Sequence, residues 1–188
     1  VKYQNFMIRI KQKLIEYLAK RKNTSESAFT LVELIVVVVI IGILSAIAIP
    51  SFQNAGDKAK QKEASTLISS YIKAAQAYYT EYSMMPTQAS HLGQYVAVTG
   101  CRQVNPSWCK TNAATNYTTS GARAWASPSG YFQIYLQTSG SRFYVRALPG
   151  GQYSGSGFGV AGCYNSSTGS AKVVESTTKG RNVRNVNC

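Results

Sequence analysis

The sequence predicts an α+β chain in which one long N-terminal helix, apolar in its first half, packs its second half on a small antiparallel sheet. Three observations lead there. Residues 29–49 form a 21-residue apolar run with Glu33 as its only charge. From residue 51 to about 83, apolar residues recur every three or four positions, which is the period of an amphipathic helix. After a long irregular stretch, residues 131–138 and 141–148 alternate with a period of two, which is the mark of half-buried strands.

The basic leader comes first. Residues 1–28 hold seven Lys/Arg against two Glu, and the other 160 residues hold thirteen against five, within a net charge of +13. Ile10, Leu14, Tyr17 and Leu18 have helical spacing. Lys20, Arg21 and Lys22 stand just before the apolar run. By the positive-inside rule they keep this end in the cytoplasm and send the following chain outward.

As a helix the apolar run is about 32 Å long at ~1.5 Å per residue, enough to cross a hydrocarbon core of ~30 Å. Two ordinary readings compete. A secretory signal would be cut after an A-x-A-like site, and Ala46-Ile47-Ala48 fits that loosely. A permanent anchor would not be cut at all. Neither explains Glu33. An ionisable group inside a spanning segment is costly and marks function by default.

Ser51 onward carries Ala55, Ala59, Ala64, Leu67, Ile68, Tyr71, Ala74, Ala75, Tyr78 and Tyr82 on one stripe. Lys58, Lys60, Lys62, Glu63, Lys73 and Glu81 fall largely off it. The whole predicts one helix from about 29 to 83. The Tyr stripe reads as core, and the three lysines as a solvated face. Residues 84–128 read as an irregular loop with a short strand at Tyr95–Val98. His91 reads as a surface or hydrogen-bonded structural residue. The sheet is expected from Tyr131–Thr138, Ser141–Leu148, Phe158–Tyr164 and Lys172–Ser176, with Ser139-Gly140 as a hairpin turn.

Four cysteines beyond an exported helix imply disulfides formed in an oxidising compartment. Three pairings are open; Cys101–Cys109 and Cys163–Cys188 are preferred because each closes a local loop. Neither pair has C-x2-C spacing and no His lies beside them, so a metal site is a poor alternative. One His and few Asp leave little material for a triad, and no phosphate loop stands out. No enzyme activity and no cofactor are expected. The Arg142/Tyr144/Arg146 stripe, with Lys179, Arg181 and Arg184, permits contact with DNA or another polyanion. No recognition motif accompanies it, and an ordinary solvated or subunit-contacting face is the competing reading. Asn116-Tyr117-Thr118 and Asn165-Ser166-Ser167 fit an N-glycan sequon.

Ala28-Phe29-Thr30-Leu31-Val32-Glu33, with the apolar run and then Pro50-Ser51-Phe52, resembles the class III signal of type IV prepilins. The resemblance covers residues 20–82. Residues 59–64 with 76–79 look like major pilins of photosynthetic bacteria. The resemblance implies the type IV pilin fold and a cut between Ala28 and Phe29 by a prepilin peptidase, with methylation of the new Phe29 amine. The family usually has Gly before the cut; here it is Ala28. The resemblance also implies that Glu33 pairs with the Phe29 amine of a neighbouring subunit. Gly42 and Pro50 are then the points where the helix kinks or unwinds.

The expected division is a cleaved cytoplasmic leader at 1–28, a membrane-spanning and polymerising helix half at 29–52 and a globular domain at 53–188. Within that domain come helix 53–83, loop 84–128 and the sheet with a C-terminal disulfide loop at 129–188. The implied partners are other pilin subunits, the inner membrane, the peptidase and the pilus assembly machinery. The implied locations are the inner membrane first and an extracellular filament afterwards. A pseudopilin of a type II secretion system is the related alternative. The Cys163/Cys188 pair and the acid-poor tail speak against it. A basic nucleic-acid-binding module is the alternative of another class.

Overall fold

A computed structural model describes residues 29–180, Val183 and residues 186–188. The leader, Arg181 and Arg184 lie outside the described residues. By its internal packing the chain divides between Ala48 and Ile49.

Helix α1 spans Leu31–Tyr82, against the expected 29–83. Its first part is rich in valine and isoleucine, which are poor helix formers in water. In hydrocarbon the ranking loses its force, because a helix closes every backbone hydrogen bond within the segment. The large side chains from Leu31 to Ile49 are all about half exposed or more. An 18-residue window of this helix reaches a mean hydropathy of 3.0 with none of it buried. Gly42 and Pro50 both lie within the helical residues. The helix ends at Ser83, whose φ of 53° makes it the one described non-glycine residue in the left-handed region. The Ser83 N–H donates to the Tyr79 carbonyl at 2.8 Å, which closes the helix as a left-handed C-terminal cap.

Beyond Ile49 the core is a helix on a sheet. Strands β3 (Ala124–Ala126), β4 (Phe132–Ser139), β5 (Arg142–Pro149), β6 (Phe158–Asn165) and β7 (Ala171–Lys179) pair in sequence order. Every pairing is antiparallel. Ala64, Ile68, Tyr71, Ile72 and Ala75 of α1 are buried in one cluster with Phe132, Ile134, Phe143, Val145 and Val160 of the sheet. The alternation read in β4 and β5 is therefore the inner and outer face of this sheet. Tyr71 meets Trp125 edge to face at 5.5 Å, and the indole N–H donates to the Tyr71 hydroxyl at 3.4 Å. Burial raises the Tyr71 phenol above its ordinary pKa, and the Trp125 hydrogen bond opposes that shift. Gln61 is buried on the helix, where its amide donates to the carbonyls of Gly159 and Ser176 at 3.2 and 2.8 Å. It thus ties the helix to β6 and β7 beside their register shift between Phe158 and Val160.

Gly162 sets how closely helix and sheet approach. A Cβ there would lie 2.4 Å from Ile72 Cδ1 and 2.6 Å from Ile68 Cγ2, both buried. Replacing Gly162 with Val forces three more carbons into that contact, and overpacking of this kind costs about 1–3 kcal/mol. The urea midpoint of Gly162→Val is expected to fall with its slope unchanged. An unshifted midpoint would show that the two isoleucines yield freely.

Several expectations shift. The hairpin turn is Gly140-Ser141, since Ser139 pairs with Arg142. Gly140 has φ 53° at the first turn position, as a type II′ turn requires. Tyr95–Val98 is not a strand; the local pairing is β1 (Thr99–Gly100) with β2 (Thr115–Asn116). The interval read as irregular also holds helices α2 (Ala89–Gly93) and α3 (Pro106–Thr111), besides β3. Helix α3 begins on Asn105, whose side chain accepts the N–H groups of Ser107 and Trp108, with Pro106 following as a first-turn residue. The fourth expected strand runs longer, to Lys179.

Candidate functional site

The N-terminal end of α1 is built from Phe29, Thr30 and Glu33. Thr30 stands just before the helix, and its hydroxyl accepts the Glu33 backbone N–H at 3.2 Å while its carbonyl accepts the Leu34 N–H at 3.2 Å. Thr30-x-x-Glu33 is the spacing of a capping box, a signal legible in the sequence but not part of the reading above. The cap uses the backbone of Glu33, so its carboxylate is not consumed by that bond. A cationic amine on Phe29 would face the positive end of the helix dipole, an unfavourable placement that a nearby carboxylate offsets. Phe29 is 78% exposed. Ala28 lies outside the described residues.

Lys58 and Lys62 are exposed as expected of a solvated face, and Lys60 is half-buried. Lys60 bonds Asp57 at 3.3 Å and sits 4.8 and 4.6 Å from the ring centres of Tyr131 and Tyr153. The Tyr153 hydroxyl donates to the Asp57 carbonyl at 3.0 Å. Burial, with the Asp57 charge second, pushes the Tyr153 phenol up to about 12. Lys62 reaches both carboxylate oxygens of Glu175 at 2.9 Å, and that bond holds Glu175 below its ordinary pKa. Lys58 is exposed. Apart from Lys60–Asp57, three residues apart on the helix, these contacts pair residues far apart in sequence, which helical spacing alone does not reveal.

His91 is stacked on Tyr78, with ring centres 4.8 Å apart and planes 5° apart. Its Nδ1 accepts the Thr87 N–H at 3.3 Å, a role open only to the unprotonated nitrogen. Partial burial lowers its pKa from the ordinary value. The unfolded chain therefore takes up the His91 proton at higher pH than the folded chain. The stabilisation is fully present above pH ~6.5 and is lost as pH falls from there through the lower folded value. Urea midpoints of wild type and His91→Gln are expected to differ in pH dependence between 7.5 and 5, the wild type losing more. Parallel curves would show that His91 does not titrate differently on folding.

Both disulfides join the preferred partners: Cys101 to Cys109, eight residues apart, and Cys163 to Cys188, 25 residues apart. The second draws the C-terminal segment onto the outer face of the sheet. There Val186 and Cys163 are buried with Ala161, and Tyr144 packs against them. Asn165 is buried, its amide directed to the Cys188 carbonyl at 3.4 Å, so of the two sequons only Asn116 is exposed.

The basic residues read as one polyanion set are separated. Arg142 and Arg146 lie on the outer sheet face, since they alternate with the buried Phe143, Val145 and Ala147. Lys179 turns to the helix side, 4.0 Å from Asp57. Arg181 and Arg184 are outside the described residues.

A family model described as the prokaryotic N-terminal methylation motif matches residues 23–49. The type IV major pilin protein PilA of Myxococcus xanthus is 40% identical over 73 residues, 39% of this chain and 33% of the relative. The type IV major pilin protein PilE of Neisseria gonorrhoeae is 35% identical over 71 residues, 38% of this chain and 42% of the relative. The fimbrial protein EcpC of Eikenella corrodens is 35% identical over 75 residues, covering 40% and 49%. The chain thus spans about a third to a half of the length of these curated relatives. No solved structure matches it significantly. The locations that go with this motif and helix are a membrane-anchored precursor and then an extracellular filament. In its methylation motif and the apolar helix that carries it, this chain is similar to type IV pilins, and an antiparallel sheet lies beyond.

Proposed function

We propose that this chain is the structural subunit of a type IV pilus, cut between Ala28 and Phe29 by a prepilin peptidase, methylated on Phe29 and polymerised through residues 29–52. The observation that carries this is the start of α1. An exposed Phe29 and a first-turn Glu33 open an apolar helix surface with nothing packed on it among the described residues. Before assembly the inner membrane covers that surface. In the filament other copies cover it, and the Phe29 amine of one copy pairs with Glu33 of the next. A carboxylate held in hydrocarbon is costly until it is paired, so pairing favours assembly. Gly42 and Pro50 are the points where this helix yields, since proline removes the bond to the Ala46 carbonyl. The chain acts as a building block, not a catalyst. Cytoplasmic motors of the assembly machinery supply the work, and the filament serves motility, adhesion or DNA uptake.

Intact-mass and N-terminal analysis of sheared surface filaments tests the reading. The expected product begins at an N-methylated Phe29 and is abundant in the filaments. A Phe29 terminus found only in membranes would move the chain to a minor pilin or a type II pseudopilin. An uncut chain, or one starting at Ile49, would overturn the proposal.

A further inference from the structure

We propose that a pocket beside the Asp57–Lys60 turn of α1 takes the phosphate headgroup of an anionic phospholipid, in the membrane that holds the precursor. The proposal rests on that membrane-held precursor, and not on cleavage or polymerisation. The pocket, of about 290 Å³, is lined by Lys60 of α1, Ser107 and Lys110 of α3, and Tyr131, Gln152 and Tyr153. Among the described residues no Asp or Glu lines it. Lys60 bonds Asp57 at 3.3 Å, but an ammonium has three donors, so others remain for a phosphate. Asp57 also lies 4.0 Å from Lys179. Lys60, Lys110 and Lys179 thus stand against one carboxylate. The place suits a monoanion.

Position along α1 selects the occupant. The apolar run ends at Ile49, and residues 50–56 are exposed. The Tyr153 hydroxyl then grips the helix at the Asp57 carbonyl. From Ile49 to Asp57 is about 12 Å of helix at ~1.5 Å per residue, and tilt lowers the height above the bilayer further. The headgroup layer is itself roughly 5–8 Å deep, since a ~30 Å core lies within ~40–45 Å in all. An anionic surface potential reaches a further ~8–10 Å, and lysine stems extend toward the phosphates. The walls have interfacial chemistry too. Tyr131 and Tyr153 meet edge to face at 5.4 Å, and Lys60 sits over both rings. Tyrosine and lysine each offer an apolar body and a polar tip, which suits the boundary between acyl chains and headgroups. A soluble anion gains nothing from a site held this close to the apolar run; a lipid headgroup is already there.

The test places the full chain in phosphatidylcholine nanodiscs, with or without phosphatidylglycerol, that carry a spin label on a trace of the headgroups. Quenching of Trp108 is the readout. It lies in α3 between Ser107 and Lys110 and is partly exposed, whereas Trp125 is buried. Phosphatidylglycerol is expected to deepen the quenching, less so as salt rises. Lys110→Gln should raise the phosphatidylglycerol fraction needed for half the effect about fivefold. Lys73→Gln makes the same charge change about 20 Å farther along α1 than Lys60, at ~1.5 Å per residue, and should leave the response unchanged. Both lysines are exposed, so neither change touches the core. Wild-type quenching that ignores phosphatidylglycerol, or an equal loss in both variants, would overturn the site. Suppression of the response by soluble glycerol phosphate would make this a free-phosphate site and overturn the lipid assignment. A chain that does not migrate with the nanodiscs at all would overturn the membrane-held precursor, and the contact with it.

Discussion

Glu33→Leu is expected to leave the subunit processed and membrane-bound but nearly absent from surface filaments. The structure makes this substitution a clean one. The first turn is capped through the Glu33 backbone N–H and the Thr30 hydroxyl, so changing the side chain leaves that cap in place. Leucine is also a better helix former in hydrocarbon than glutamate, so the helix survives. What disappears is the carboxylate's preference for a paired site over lipid. A charged group at mid-bilayer costs about 2.5–3.5 kcal/mol on insertion scales, the upper bound for a residue this near the end of the span. Loss of that difference corresponds to roughly a hundredfold shift from filament to membrane. Immunoblots of sheared and membrane fractions measure the ratio. Glu33→Leu filaments in near-normal amount would show that another contact sets assembly, and the pairing proposed for Phe29 and Glu33 would be abandoned. Thr30→Ala is the matching control. It removes the cap while keeping the charge, so a smaller loss is expected.

The second large effect concerns the C-terminal disulfide. Replacing Cys163 and Cys188 with serine is expected to lower the stability of the sheet domain by about 3–4 kcal/mol in the chain-entropy view, for a closed loop of this length. The bridge does more than shorten the unfolded chain. It holds Val186 over Cys163 and Ala161, and it positions the Cys188 carbonyl that the buried Asn165 amide faces. The shorter Cys101–Cys109 loop should cost less, by roughly 1 kcal/mol on loop length alone. At a urea dependence of ~1–3 kcal/mol per molar, the long-bridge variant should unfold at least ~1 M earlier than wild type. Circular dichroism of wild type, both double-serine variants and reduced wild type would rank them. If removing the short bridge proves the more harmful, packing around Cys109 outweighs loop closure. Gly130 supports that concern, since it approaches Cys109 with φ at 73° and a Cβ there would lie 2.3 Å from the sulfur.

Much of this molecule is readable without coordinates, for identifiable reasons. A membrane-length apolar run is a one-dimensional property, and so is a single carboxylate placed four residues after Phe29. The helical stripe from Ala64 to Tyr78 and the alternation of Phe143, Val145 and Ala147 are also local, because each follows from the geometry of its own element. Those features determined the helix, the sheet and the N-terminal site. What the tertiary structure decided depends on register between distant segments. Lys60 is drawn over Tyr131 and Tyr153, Lys62 is bound to Glu175 and Gln61 is inserted between two strand carbonyls. Lys179 is turned away from Arg142 and Arg146, while Tyr135 and Gln137 are brought beside them. Residues 84–128 hid two short helices and two strand pairings because elements of two to six residues carry too few periods to show a pattern. Local chemistry wrote the helix and its charge; only packing could choose which side chains share a face.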